Sequence, residues 1–145
     1  MIENVSDSAM ILESLNQLRF YHAVFSLCLV MPILLNLWTL FFYKNLVAMN
    51  KKIWFVMPLV FFLLSVAFLS GLNLVFFNFS GVSFSFVLMC VFWLLMLIGE
   101  IKRIKILKVA KRTNLEAMQD YIKFAKYLYG AELGLFIIVA CVCYL

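Results

Sequence analysis

Histidine occurs once in this chain, as His22 in RFYHAVFSLC at residues 19–28, where charged sequence gives way to a long apolar run. Other groups able to do chemistry are sparse within the apolar stretches: Met89, Glu132 and the cysteines at 28, 90, 141 and 143. A neutral imidazole and a thioether at similar depth in a helical bundle can hold a haem iron from its two faces. His22 opens the first apolar run, and Met89 lies in the same-side half of the third. Arg19, one turn before His22, is placed to meet a propionate. His22, Met89 and Arg19 are therefore the candidate site for haem b, with His22 and Met89 as metal ligands in that sense alone. The competing reading makes His22 an interfacial hydrogen-bonding residue and the methionines gap fillers. Spacing does not choose between the two.

The remaining chemistries are excluded more simply. The cysteines form no C-x-x-C, and Cys141 and Cys143 point to opposite sides of a helix, so neither a zinc site nor a disulfide framework is expected. There is no Gly-rich phosphate loop, no serine-histidine-acid spacing and no carboxylate pair with an evident task. Glu132 stands near one end of the last apolar run. It is expected to snorkel or to pair with a lysine, and a transport reading would rest on it alone.

The elements that must position these groups follow from composition. Of 145 residues, 67% are hydrophobic and 13% charged, and the mean hydropathy is +1.09, which describes an all-α integral membrane protein. No charge occurs from Ile53 to Gly99, about twice the roughly 20 residues a crossing needs, so that stretch folds back on itself. FFNFSGVSFS supplies the turn chemistry. One four-helix membrane domain over 1–145 is predicted, with helices near 20–43, 53–76, 82–112 and 114–145. The acidic N-terminal segment lacks the basic leader of a cleavable signal, so the first helix is expected to stay.

Charge gives the orientation. Lys44, Lys51 and Lys52 follow the first crossing, and eight Lys and Arg lie between Glu100 and Lys126, against none in the turn at Asn78. Under the positive-inside rule the basic loops are cytoplasmic and both termini lie outside. The net charge of +5 reads as orientation and attraction to anionic lipid headgroups at the basic hairpin. It does not read as nucleic-acid binding, because most of the basic residues flank crossings.

Helices 3 and 4 are expected to form a long antiparallel hairpin reaching into the cytoplasm. Trp93, Met96, Glu100, Arg103, Leu107 and Ala110 recur by three and four, as do Leu115, Met118, Ile122, Ala125, Tyr129 and Glu132, giving two facing seams. TNLE at 113–116 has the form of a capping box. Folding about Arg112 and Thr113 sets Glu100 opposite Lys126 as an ion pair. Gly130 and Gly134 have the G-x-x-x-G spacing of close helix packing, within the bundle or in a homo-oligomer. His22, Ser26, Asn36 and Tyr43 share one face of the first helix, which should point into the bundle. Pro58, Ser65 and Asn73 share one side of the second, where polar groups would bond across helices.

Local matches add to this pattern: His22 opening the first helix, LFFY at 40–43, Met49 before the second, and Gly71 late in it. With the length, the four crossings and the basic hairpin, they make nearly the whole chain resemble the small bacterial membrane protoporphyrinogen oxidases, relatives of copper-resistance membrane proteins. That family has a similar Leu-Phe-x-Tyr. The resemblance implies a haem-binding four-helix scaffold in a bacterial inner membrane. The family's Pro-Arg before that motif is Trp38 and Thr39 here, its following histidine is Lys44, and its histidine in helix 3 has no counterpart. These departures bear on catalysis more than on the scaffold. A tetrapyrrole-binding membrane oxidoreductase and a non-enzymatic accessory subunit of a larger membrane complex both stand as readings, with a small transporter as a third.

Overall fold

A computed structural model describes residues 2–42, 44–77, 83–112 and 115–144, with side chains described from Ala9 to Cys143. The order is α1 (Ile2–Cys28), α2 (Val30–Phe42), α3 (Leu46–Phe77), α4 (Phe84–Ala110) and α5 (Leu115–Tyr144), with no strand among the described residues. Four stretches are long and apolar enough to cross a membrane: Ala9–Phe42, Leu46–Phe77, Phe84–Ala110 and Leu115–Cys143. The all-helical, four-span reading of the sequence therefore stands.

The first span is two helices because of Pro32. Proline has no N–H for the carbonyl of Cys28, four residues earlier, and its ring crowds that carbonyl. The chain responds with a single turn residue, Leu29, whose N–H donates to the Ser26 carbonyl at 3.2 Å. At its start the span runs well beyond the expected residue 20, since neither Gly nor Pro interrupts residues 2–28 and the polar leader continues the helix. Pro58 leaves α3 continuous, in keeping with the tolerance of membrane helices for proline.

Caps explain why the second helix starts earlier and the third later than expected. The Asn45 Oδ1 accepts from Val47 N at 3.0 Å and Ala48 N at 3.4 Å, so α3 opens at Leu46 and includes Lys51 and Lys52. Ser83 has extended backbone, φ −80° and ψ 154°, and its hydroxyl accepts from Phe86 N at 3.3 Å. Tyr43, the turn residues 78–82 and the capping-box residues Thr113 and Asn114 lie outside the described residues.

α4 and α5 pack against each other, α1 and α2 both pack on α3, and α2 also meets α5. The contact between α3 and α4 is thin, and among the described residues α1 meets neither α4 nor α5. The core follows the predicted seams: Met96, Leu107 and Ala110 from α4 pack with Met118, Ala125 and Tyr129 from α5. Lipid offers no hydrophobic drive between helices, so close packing and buried polar bonds must hold this arrangement.

Three expectations are corrected here. Glu100 pairs with Arg103 on its own helix, Nη2 to Oε2 at 2.7 Å, whereas Lys126 lies with its Nζ 4.3 Å from the centroid of the Phe41 ring. The buried stripe of α5 runs through Ala125 and Tyr129, which turns Lys126 toward α2. Gly130 and Gly134 are exposed, and a Cβ at either would meet nothing within 4 Å. Close approach falls instead at Gly99, where a Cβ would stand 2.8 Å from Leu128 Cδ1 and 3.1 Å from Glu132 Oε1. Pro58, Ser65 and Asn73 face outward, and the Ser65 hydroxyl donates to its own helix at Phe61 O, 2.9 Å away.

Candidate functional site

Two features of the bundle carry chemistry. The first is a cleft at the His22 end, between α1 and α3 on one side and α4 and α5 on the other, lined by His22, Phe68, Gly71, Met89 and Trp93 among others. It encloses about 90 Å³. Its back wall is the joint between α3 and α4, where the Phe68 and Trp93 rings stack with centroids 4.3 Å apart. The Trp93 indole N–H donates to the Leu64 carbonyl at 3.2 Å. Among the described residues the α1 and α4 backbones do not approach closely, and His22 and Met89 line the cleft from these two elements.

The proton on His22 depends on its neighbours. The Ser70 hydroxyl has a single hydrogen and lies 3.0 Å from Ala67 O. With the serine hydrogen on Ala67 O, the 2.8 Å contact between His22 Nδ1 and Ser70 Oγ is an Nδ1–H donating to the serine oxygen; with it turned to His22, the roles reverse. In the first case Nε2 is left with a free lone pair, the arrangement in which a second-shell bond orients an imidazole for ligation. Gly71 completes the seat, since a Cβ there would meet His22 Cε1 at 3.3 Å.

The second feature is a buried polar cluster joining α2, α4 and α5. Arg103 Nε and Nη2 donate to Glu100 Oε2 at 3.0 and 2.7 Å, and Nη1 donates to the Tyr121 hydroxyl at 3.2 Å. The guanidinium carbon stands 5.7 Å from the Tyr129 ring centroid, and the Tyr129 hydroxyl accepts from Asn36 Nδ2 at 3.0 Å. Glu132, 4% exposed, lies within electrostatic reach of Glu100 and Arg103. Neither of its oxygens has a hydrogen-bond partner, nor have Glu100 Oε1 and Asn36 Oδ1. Glu132 thus neither snorkels nor meets a lysine. It packs on the backbone at Gly99, the one small residue facing it, and is held among acceptors.

Of the residues nominated from sequence, His22 and Met89 come to one cleft, while Arg19 is exposed one turn away and does not line it. Cys90 and Cys143 also line the cleft, yet among the described residues no group of three His, Cys, Asp or Glu side chains is placed to hold a metal ion. Ser70 was not legible as a partner, because it stands 48 residues from His22 in the chain. Arg103 and Asn36 were legible as polar members of apolar seams, but their partners were not. No family model matches the chain, and neither a curated protein nor a solved structure matches it.

Proposed function

We propose that this is a haem-binding membrane redox protein holding haem b in the cleft between α1 and α4. The observation that carries the reading is His22 held by Ser70 through Nδ1 and seated on Gly71, with the Met89 thioether lining the same cleft; the tautomer with the proton on Nδ1 leaves Nε2 able to ligate. The apolar and aromatic walls suit a porphyrin. The enclosed 90 Å³ is below the roughly 300 Å³ at which small-molecule sites begin, so a bound haem would have to spread the walls of the cleft. When bound, haem supplies one-electron redox chemistry. The chain's part is to ligate through His22 Nε2, to place a second ligand from Met89, and to exclude water with Phe68 and Trp93. Arg19, exposed one turn from His22, is positioned for a propionate at the membrane boundary.

The test is absorption of the detergent-purified protein from haem-supplemented cells. A Soret band is expected. His22→Ala abolishes it, Ser70→Ala weakens haem retention by about 10- to 100-fold through loss of the orienting bond, and Met89→Leu shifts the spectrum while retaining haem. Absence of a band in the parent protein overturns the reading in favour of an accessory subunit.

A further inference from the structure

At the opposite end of the bundle a recess of about 920 Å³ opens between the first turns of α3 and the turn that follows α4. Its wall includes Asn50, Lys51 and Trp54 from α3, Lys111 and Arg112 from the turn, and Met118 from α5. We propose that this recess binds the phosphate of an anionic phospholipid headgroup.

Charge comes first. Lys51, Lys111 and Arg112 line the recess and no acidic side chain does. The ion pairs among the described residues join Arg103 to Glu100 and Lys123 to Asp120, which leaves the three recess cations without a carboxylate.

A separate observation concerns Asn50. It is 6% exposed and lines the recess, yet its Oδ1 has no partner and its Nδ2 makes only a 3.9 Å contact to Met118 Sδ. A buried amide this poorly satisfied marks a missing group, since leaving it unpaired costs its full desolvation. Rotating the amide exchanges its oxygen and nitrogen without changing its shape and puts the donors where the unpartnered oxygen stands. A phosphate oxygen accepts from those donors and from the lysine and arginine N–H groups together. Trp54 sets the source. Its ring lies 6.0 Å from Lys111 Nζ, and an indole beside cations is the pairing found at headgroup depth, so a lipid phosphate reaches the recess with its acyl chains still in the bilayer.

The experiment uses the full chain purified in detergent, incubated with graded phosphatidylglycerol or phosphatidylcholine, with bound lipid counted by native mass spectrometry. Phosphatidylglycerol should bind about a hundredfold more tightly, at roughly fivefold for each of the three cations. Lys111→Gln with Arg112→Gln should reduce that preference about twentyfold, and Asn50→Leu, which keeps volume, should lower retention severalfold. Lys123→Gln, outside the recess, should leave it unchanged. Displacement of bound phosphatidylglycerol by inorganic phosphate would show that the recess takes phosphate from either source, and no displacement would assign it to lipid. Equal retention of the two lipids, or an equal loss with Lys123→Gln, overturns the proposal.

Discussion

Replacing Arg103 by methionine tests the buried cluster most directly, because Arg103 is the buried cation that faces both Glu100 and Glu132. The substitution keeps a long flexible side chain and its packing. It removes the two donors to Glu100 Oε2, at 3.0 and 2.7 Å, and the donor to Tyr121, at 3.2 Å. Breaking a buried pair by removing one partner costs about 3–5 kcal/mol, mostly because the other charge is left uncompensated. The single variant should lose about that much, read as helicity by circular dichroism across a titration with sodium dodecyl sulfate. Adding Glu100→Leu removes the stranded carboxylate, so the double variant should recover most of the loss. Glu132→Gln, made in the parent protein, should cost nothing, since it replaces a carboxylate without donors by an amide that brings its own to a cluster rich in acceptors. Arg103→Met unfolding at the parent's midpoint, or a double variant no better than the single one, would refute the idea that charge compensation holds α4 to α5.

Other expectations are sharper for being paired. Gly99→Leu should destabilise the bundle by several kcal/mol in the same titration, because even a Cβ there stands 2.8 Å from Leu128 Cδ1 and overpacking alone costs about 1–3 kcal/mol. Gly134→Leu should melt like the parent, as its side chain enters open space; an unfolded Gly134 variant alongside a stable Gly99 variant would reverse the helix facing. For orientation, a cysteine at the exposed Phe84 should react with an impermeant outside label in a background lacking the native cysteines, and one at the exposed Val109 should not. The opposite labelling would invert the topology drawn from the basic segments.

The number of spans was legible because hydropathy in lipid is a one-variable problem: a stretch either is apolar for long enough or is not. The α4 and α5 seams were legible for a related reason, since Met96, Leu107, Met118 and Ala125 repeat at helical spacing and are buried as expected. Partnership was less visible. Glu100 could reach Lys126 by register or Arg103 by helical turn, and the local pair won because it asks for one helix to be ordered, not two. Glycine spacing misled for a different reason, as G-x-x-x-G reports a smooth face without saying which side of the helix bears it. The break at Leu29 was missed, although Pro32 three residues on accounts for it. The serine that orients His22 was hidden, because a hydroxyl 48 residues away leaves no mark in local spacing.

The buried Glu100–Arg103–Glu132 cluster also bears on how the chain is made. α5 is the least apolar of the four spans, with a mean hydropathy of 1.6 against 2.1 to 2.4 for the others. A single ionised side chain at the centre of a lone helix adds about 2.5–3.5 kcal/mol to its entry into the bilayer. α5 arriving alone would bear that cost at Glu132, and α4 alone would bear it at Glu100 and Arg103. Arriving together as a hairpin, they mask those charges against each other before lipid surrounds them. Of the two, the later helix thus stabilises the earlier one in the bilayer, and each lowers the cost of the other's charges.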